Sequence, residues 1–509
     1  MKTFLRLSII QFIFLLVAPI AAIGATTNSI SQWGVTWTFD KAYTYGTYAN
    51  GDYWVLGPVT ITSISPDFTG TTNGWEVNPK AGEYTTAQGF DSTLGSMGFN
   101  ATLVPALPYT SPTTGTVSVV KAISQLGSST PSYNPLKTVA VLTIVTAIPT
   151  NNGATVFRPP YEGINKPTYL TTSLQTSLLP TYVPTPSAWS LSKIIARFSM
   201  VQFGHISPVR GFRPTDNFNN IDPYGASVGS DLASGALGLM LNNATVAQKM
   251  PALIAYVQAG IDMYAIMQDG MYWSPGAGYE PNARLPMYFM AALFQDSTII
   301  KNVQAFTAYT DDGELYRGKN GTVLFGDTDA GMYGRDEQDA YWHYITGGKL
   351  TALGYPFSLN ASYRDPYGLI DGGLAPAIYQ YCCLSQPWKG QALAVRLMPA
   401  LTAIYTNPKH LMMLEYADRW VTQGVIALPD TCAPYDGNPG NYKVTYGPAS
   451  NSTAANPLCI LGKGRFPANN GNPDEGYYGS AEINEMWAAY RNLVPTSPSL
   501  LAPTNLQVN

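Results

Sequence analysis

The sequence predicts a multidomain fold with an N-terminal antiparallel β-sandwich and a larger C-terminal domain of paired α-helices arranged in a bundle or closed ring. Three observations support this prediction: alternating apolar and polar residues in the N-terminal part, a proline-rich stretch after it, and apolar residues at three- and four-residue spacing beyond that stretch. The chain has 509 residues, more than a single hydrophobic core usually holds. We therefore expect at least two domains.

The β-sandwich is predicted for residues 30–155. Residues 33–65 alternate apolar and polar side chains, are rich in Val, Thr, Tyr and Trp, and carry Asn-Gly and Gly-Pro turn signals between the runs. Further runs of this kind lie at 100–105, 116–123 and 138–147. Such alternation is typical of antiparallel strands that place one face on a core.

The pattern changes within residues 156–187, a proline-rich segment that we interpret as the linker between the domains. Residues 188–493 then contain at least seven segments with the apolar spacing of α-helices, joined by long, polar, glycine-rich loops. Because helix pairs arranged in a ring bring all the loops at one end together, these loops could form a single cleft. Residues 494–509 resemble a Pro/Ser linker followed by the first strand of a fibronectin type III module.

Residues 1–25 have the layout of a secretory signal peptide. Lys2 and Arg6 precede an apolar run, and small residues separate that run from a polar stretch. No later segment approaches the roughly 18 to 20 uninterrupted apolar residues that span a bilayer. We therefore expect an exported protein, extracellular or periplasmic, that is not held in a membrane once the signal is removed.

The four cysteines bear on this expectation, because disulfides form in oxidising compartments. Cys432 and Cys459 flank a stretch rich in Gly, Asn and Pro, and we favour a disulfide between them. Cys382 and Cys383 are adjacent and do not reach ordinary bridge geometry without strain. They are expected to be free and buried, or to form a strained vicinal pair.

Charge and composition exclude several classes of function. The net charge is only -4, and Lys and Arg form no run, which argues against a nucleic-acid partner. The chain lacks zinc-binding, nucleophile-elbow, P-loop and dinucleotide-binding motifs, so we expect no cofactor; only Asp327 and Asp329 suggest a Ca²⁺ site. Aromatic residues make up 12% of the chain, a composition that suits contact with sugars but is also common in purely structural β surfaces.

Residues 204–225 concentrate charged and polar side chains between two apolar, helix-like segments. They include Arg210, Arg213 and Asp216, although only 12% of the chain is charged. Polar loops held by a rigid scaffold are common places for binding and catalytic sites. We interpret this loop as one wall of a sugar-binding cleft. The alternative is that Arg213 and Asp216 pair to hold a long loop in place while Asn217 caps the next helix.

The domain plan and the polar loops resemble the polysaccharide lyases that join an α/α-toroid, a closed barrel of helical hairpins, to a β-sandwich, such as alginate, glucuronan and heparinase-type enzymes. The resemblance covers the domain plan and is not a motif match. Those families usually place the β domain after the toroid, whereas here it comes first. The resemblance implies an α/α-toroid catalytic domain at 188–493 and β-elimination of an acidic, uronate-containing polysaccharide.

Elimination from a uronate needs a group that neutralises the carboxylate, a base that removes the C5 proton, and an acid that protonates the leaving oxygen. Arg and Asn donate paired hydrogen bonds to a carboxylate, and Tyr or His transfer protons when their pKa is tuned. The candidate catalytic residues are therefore Arg213, Asn217, Tyr224 and His205 in one loop and His343 with Tyr341 in a second segment, where His343 is expected on a helix. A buried structural role is the alternative for both histidines. We interpret the third histidine, His410, as a capping or surface group.

Other loops contribute residues that could contact sugars. Aromatic and Arg side chains near Gly and Pro form this set, which comprises Arg210, Arg284, Trp273, Tyr279 and Trp388. Such side chains also simply anchor loops, and that interpretation remains open.

Two other classes of function compete with the lyase. A glycoside hydrolase on the same scaffold needs two opposed carboxyl groups, for which the candidates are Asp327, Asp329, Asp336, Glu337 and Glu280. A solvated acidic loop is the alternative reading of the first four. The third class is a non-catalytic, glycan-binding surface protein in which the β domain binds and the helical domain is a spacer.

Overall fold

The computed structural model describes residues 25–80, 88–124, 136–201, 225–273, 278, 280–317, 321–325, 383–423 and 479–494. A curled β-sheet in the N-terminal part is followed by α-helices, so the fold mixes β and α structure as the sequence predicts. The first strand begins at Thr26 and the first α-helix at Leu191.

The N-terminal strands form one hydrogen-bonded sheet in the order β5-β7-β8-β3-β2-β4-β6, with β1 on β2. Neighbouring strands are antiparallel except β3 and β8, which are parallel. The strands are β1 (Thr26–Gln32), β2 (Val35–Thr47), β3 (Tyr53–Leu56), β4 (Thr60–Ser65), β5 (Trp75–Val77), β6 (Tyr109–Thr110), β7 (Val117–Ser124) and β8 (Leu136–Val145).

The sheet curls into a half-barrel, whereas the sequence predicts a sandwich of two stacked sheets. Strand β2 explains the difference, because it is long enough to belong to both halves: residues 36–39 pair with β4 and residues 45–47 pair with β3. The core inside the curl contains Trp37, Trp75 and Leu142. A sandwich and a curled sheet both bury alternate residues, so the sequence pattern does not distinguish them.

Strands β7 and β8 are buried on both faces. Their second face packs on a separate cluster that includes Tyr161, from the segment after the sheet, and Val201, just beyond the first helix. Segment 157–162 is buried and therefore lies between the sheet and the helices.

The sequence segments with helical spacing that fall within the described residues are helical, and Pro399 divides one of them into two helices. The predicted helical segment around His343 lies outside the described residues. The helices are α1 (Leu191–Phe198), α2 (Gly225–Leu239), α3 (Val246–Gln268), α4 (Arg284–Phe294), α5 (Ser297–Ala305), α6 (Thr310–Gly313), α7 (Ser385–Leu397), α8 (Pro399–Ile404), α9 (Pro408–Gln423) and α10 (Ala481–Tyr490). A short hairpin of β9 (Leu315–Arg317) and β10 (Val323–Phe325) lies between α6 and α7.

Helix α3 is the longest of the described helices. Its length and composition would also allow it to cross a membrane, but 78% of its apolar window is buried inside the protein, which is typical of a core helix. It packs closely on α4 because Gly260 has no side chain: a Cβ there would lie 2.5 Å from the Pro286 carbonyl oxygen. None of the other described helices has this length and hydropathy.

A buried ion triad joins the sheet to α3. The guanidinium of Arg158 donates to Asp52, in the turn between β2 and β3, at 2.6 Å and to Asp262 of α3 at 2.5 Å. Gln258 of α3 donates to the backbone carbonyl of Arg158 at 3.1 Å. All three ionised side chains are nearly inaccessible to solvent, so neither aspartate charge is solvated if the arginine is removed.

Two buried carboxyl groups should make stability depend on pH. Glu76 accepts a hydrogen bond from the Gly89 amide and Glu482 accepts one from the Trp189 amide, and burial is the main cause that raises the pKa of each carboxyl to about 7. An acid with a raised folded-state pKa stabilises the fold below its unfolded pKa and loses that contribution as pH rises through the folded pKa. These two groups therefore favour folding near pH 4 and oppose it near pH 8.

We expect Glu482→Gln to raise the free energy of unfolding at pH 8 by up to about 3 kcal/mol and to change it little near pH 4, measured by denaturant titration. Glu485, on the same helix, is a control whose pKa shifts in the opposite direction. Hydrogen bonds from Ser187 lower the pKa of its exposed carboxyl. Glu485→Gln should therefore lose stability at pH 8. An equal effect of Glu482→Gln at both pH values would contradict the pKa assignment.

Candidate functional site

Most of the candidate site residues fall in segments that the structure does not describe. These residues are His205, Arg210, Arg213, Asn217, Tyr224, Tyr279, Asp327, Asp329, Asp336, Glu337, Tyr341 and His343, together with Cys432 and Cys459. Trp273, Glu280, Arg284 and Trp388 are described.

The described residues next to the two main candidate segments can nevertheless be located. Segment 202–224 is followed directly by α2, which begins at Gly225. Segment 326–382 is preceded by Phe325 of β10 and followed by Cys383, two residues before α7.

Asn282 holds these flanking elements together at one end of the helices. Its Nδ2 donates to the carbonyl of Gly229 in the second turn of α2 at 2.8 Å and to the carbonyl of Pro387 in the first turn of α7 at 2.7 Å. Asn282 is fully buried and has a left-handed φ of 67°, a conformation that Asn tolerates better than most residues. The ring of Phe325 lies 6.1 Å from that of Trp388 in the same turn of α7.

A buried charged cluster lies beside this junction, at the first turn of α4. Arg284 donates through Nε to Asp311 at 3.1 Å and through Nη2 to Asp312 at 2.8 Å. Trp388 Nε1 donates to the other oxygen of Asp311 at 2.5 Å, and Gln391 Nε2 donates to Asp311 Oδ2 at 3.1 Å. The cluster thus connects α4, α6 and α7.

His410, at the start of α9, extends the cluster. Its Nε2 lies 3.0 Å from the carbonyl oxygen of Phe306 and 3.3 Å from Asp312 Oδ2, while its Nδ1 lies 2.7 Å from the hydroxyl of Tyr288. Because a carbonyl only accepts, Nε2 carries the proton, and Nδ1 of a neutral ring accepts from Tyr288. Burial, followed by the charge of Arg284, lowers the pKa of His410, which keeps the ring neutral at neutral pH.

Aromatic rings enclose the charges. Tyr309 stacks on Trp273 with ring centroids 5.5 Å apart and an interplanar angle of 12°, and the Arg284 guanidinium lies 4.8 Å from the Tyr309 ring centroid. Burial raises the pKa of Tyr288 and of Tyr309 well above the ordinary tyrosine value, so neither hydroxyl is ready to act as a base. Both tyrosine hydroxyls of the cluster therefore stay protonated at neutral pH.

The described charged groups of the cluster are Arg284, Asp311 and Asp312, because the lowered pKa of His410 keeps its ring neutral at neutral pH. Two carboxylates thus share one guanidinium. Arg284 is the leading cause that lowers the pKa of Asp312, against the opposing effect of burial. The two carboxylates repel a further carboxylate, such as that of a substrate.

Trp273, Arg284 and Trp388, which the sequence suggests as sugar contacts, are at most 2% exposed. They come together in space, where they contact other protein groups. Their burial favours the interpretation that such side chains anchor loops, which the sequence left open. Glu280, an alternative acid/base candidate, is also buried.

The main residues that sequence reasoning missed are His410, Tyr288 and the two aspartates of α6. His410 is fully buried, not a capping or surface group as expected. One signal was available: Asp311 and Asp312 are adjacent to each other, two residues after Tyr309, in a chain with few charges. Their partners, however, are distant in sequence. Arg284 is 27 positions from Asp311 and 28 from Asp312, and Trp388 is 77 positions from Asp311.

Cys383 is disulfide-bonded, and the other three cysteines lie outside the described residues. The free-thiol interpretation of Cys383 is therefore wrong, while its vicinal pairing with Cys382 and the pairing of Cys432 with Cys459 stay predictions. In the described part of the chain, no group of three or more His, Cys, Asp or Glu side chains could hold a metal ion.

Comparisons with known proteins do not assign this chain to a family. A scan against protein-family models, a search of curated proteins and a search of solved structures each found no match. Function must therefore be inferred from the chemistry of the residues and the arrangement of the scaffold.

Proposed function

We propose that the protein is an exported enzyme that cleaves a uronate-containing polysaccharide by β-elimination. Residues 188–493 would form an α/α-toroid whose loops build the active site. The observation that carries the proposal is the junction at Asn282, where the elements flanking both candidate loops are tied within hydrogen-bond distance of one side chain. Loops that leave one junction are suited to form one cleft.

The catalytic groups in this proposal come from the two loops. Arg213 and Asn217 bind the uronate carboxylate, which makes the C5 proton more acidic. His343, with Tyr341 beside it in the sequence, transfers protons, and Tyr224 and His205 are the further candidates for that step. The charged cluster around Arg284 acts as a rigid support because its charges are paired within the protein.

The buried aspartate pair of the cluster does not fit the two carboxyl groups of a glycoside hydrolase. A glycoside hydrolase needs one carboxyl group that stays protonated, which requires a raised pKa, opposite a second carboxylate. The pKa of Asp312 is lowered, chiefly by Arg284, and Asp311 is paired with the same guanidinium. This acidic pair therefore does not supply the acid that hydrolysis requires.

One assay separates the three classes of function. Purified protein is incubated with alginate, glucuronan, pectate and neutral glucans while ultraviolet absorbance and reducing ends are followed. We expect absorbance from an unsaturated product on at least one acidic polymer. Reducing ends without absorbance would favour a hydrolase, and binding with neither signal would favour a non-catalytic glycan-binding protein; either result would overturn the proposal.

We expect His343→Ala to lower turnover about 10²- to 10⁴-fold, the usual size of a proton-transfer contribution, and Arg213→Ala to abolish detectable turnover. The thermal transition should shift little in either variant, because both side chains are proposed to act on the substrate and not to support the core. Arg317→Ala is the matched control: Arg317 forms an exposed pair with Glu415 at 3.0 Å, and its loss should leave turnover unchanged. Full activity in both loop variants would contradict the assigned roles.

A further inference from the structure

A second feature with binding chemistry lies where segment 160–169 crosses the C-terminal end of α3. A cleft opens there, and its enclosed part has a volume of about 40 Å³, enough for the edge of one small ring but not for a whole sugar. The polar and aromatic residues that line it are Glu162, Asn165, Tyr169, Tyr264, Gln268 and Asp269.

The walls of the cleft are held in place before any ligand arrives. Lys166 Nζ donates to the carbonyls of Pro160 and Glu162 at 2.7 and 2.8 Å, which closes the loop on itself. Gly163 has a left-handed φ of 61°, and a Cβ there would lie 2.7 Å from Asp269 Oδ2, so only glycine lets Asp269 come so close. A preformed wall reduces the entropy lost on binding.

The lining combines apolar surface with exposed polar groups. Tyr169 packs on Phe294 with ring centroids 5.3 Å apart, and the Tyr264 hydroxyl accepts from Asn302 at 2.8 Å, which fixes both rings. Gln268 and Asp269 are exposed at the end of α3. A carboxylate and an amide beside aromatic rings can bind sugar hydroxyls while the rings contact C–H groups.

The charges of the cleft argue against an anionic ligand. Glu162 and Asp269 both contribute negative charge, and the neighbouring cation, Lys166, already donates to two carbonyl oxygens. Burial lowers the pKa of Lys166 to about 7, so its positive charge is only partial at neutral pH. A uronate would meet net repulsion here, whereas a neutral sugar would not.

We propose that this cleft is a binding subsite for a neutral sugar residue, which enters edge-on with hydroxyls on Asp269 and Gln268 and with C–H groups against Tyr169 and Tyr264. Asp269 is only four positions before Trp273 of the charged cluster, so the cleft lies at the end of α3 from which the chain continues to that cluster. The subsite goes beyond the elimination chemistry, because binding is measurable without turnover.

The test is calorimetric titration of the full-length protein with oligosaccharides of glucose, mannose and galactose and with an oligouronate of equal length. We expect at least one neutral oligosaccharide to bind. The double substitution Gln268→Ala and Asp269→Ala should weaken that binding about tenfold or more, since it removes hydrogen bonds that include one to a charged group. Both residues are exposed, so the thermal transition should stay where it is.

Asp67→Ala is the matched control, because Asp67 is an exposed carboxylate of the β domain and does not line the cleft. Binding that is unchanged in Asp67→Ala but weakened in the double variant supports the subsite. Equal binding by the double variant, or the absence of neutral-sugar binding, would overturn it. If the protein binds a neutral sugar here but is not a lyase, the result of this titration does not change.

Discussion

We expect Arg158→Met to lower the free energy of unfolding by about 3–5 kcal/mol. Methionine replaces much of the apolar stem but leaves Asp52 and Asp262 buried without their shared cation. The desolvated carboxylates must then remain charged at high cost or take up protons. Because the triad joins the sheet to α3, the loss should appear in the denaturant unfolding of the whole protein.

Neutralising the two aspartates should reverse most of this loss. Arg158→Met combined with Asp52→Asn and Asp262→Asn removes both uncompensated charges, and replacing a whole buried ion network is often close to neutral. The control is Arg317→Met: Arg317 and Glu415 are each about one-third exposed, and such pairs contribute at most about 1 kcal/mol. A triple variant no more stable than Arg158→Met would show that packing, and not charge, causes the loss.

The triad also shows where sequence reasoning reaches its limit. The prolines around Arg158 indicate an irregular linker, and the segment is irregular, yet Arg158 is one of the most buried side chains. Its partners Asp52 and Asp262 lie 106 and 104 positions away. A local pattern predicts the backbone of such a segment, but its burial depends on distant elements that a single sequence does not pair.

The strands and helices could be predicted better, because each depends on the spacing of apolar residues within its own segment. Alternation in residues 33–65 predicts strands, and β2, β3 and β4 lie there. Apolar spacing predicts a helix in the region of α3, and the amphipathic stripe through Tyr256 and Gly260 is buried. The curl of the sheet was not predictable, since it follows from one strand that pairs with different partners along its length.

At the candidate site, residue types indicate which side chains come together, but the sequence does not indicate whether those side chains are exposed or buried. Trp273, Arg284 and Trp388 were selected because Trp and Arg near Gly and Pro often contact ligands, and they do meet in space. Their burial comes from contacts among helix ends, which no local pattern encodes. For the same reason the sequence favours a capping or surface role for His410, whose partner Tyr288 is 122 positions away.

The second large effect is expected at the cluster. Arg284→Met should lower the free energy of unfolding by about 3–5 kcal/mol at pH 8, because Asp311 and Asp312 lose their buried counterion. The charge of Arg284 also lowers the pKa of His410, while Asp312 raises it. In the variant the His410 pKa should therefore rise, and a protonated His410 should partly replace the missing cation.

Because protonated His410 partly replaces the charge of Arg284, the stability lost in Arg284→Met should depend on pH, and the sign of this dependence can be stated. A histidine whose folded-state pKa is raised contributes stability fully below its unfolded pKa, near 6.5, and loses that contribution as pH rises through the folded pKa. In the wild type the His410 pKa is lowered, so wild-type stability falls as pH falls, and the two curves approach each other. The difference between wild type and Arg284→Met should thus shrink from pH 8 to pH 6, by about 1.4 kcal/mol at most for each unit of pKa change.

The measurement is denaturant unfolding of both proteins at pH 6 and pH 8, with the His410 pKa followed by NMR titration of the ring protons. The difference between Arg284→Met/His410→Gln and His410→Gln alone should not narrow at pH 6, because the residue that takes up the proton is absent from both. If the stability difference stays constant with pH while the His410 pKa does not move, the histidine is not electrostatically coupled to Arg284 through Asp312. The cluster would then stabilise the fold through hydrogen bonds and packing alone.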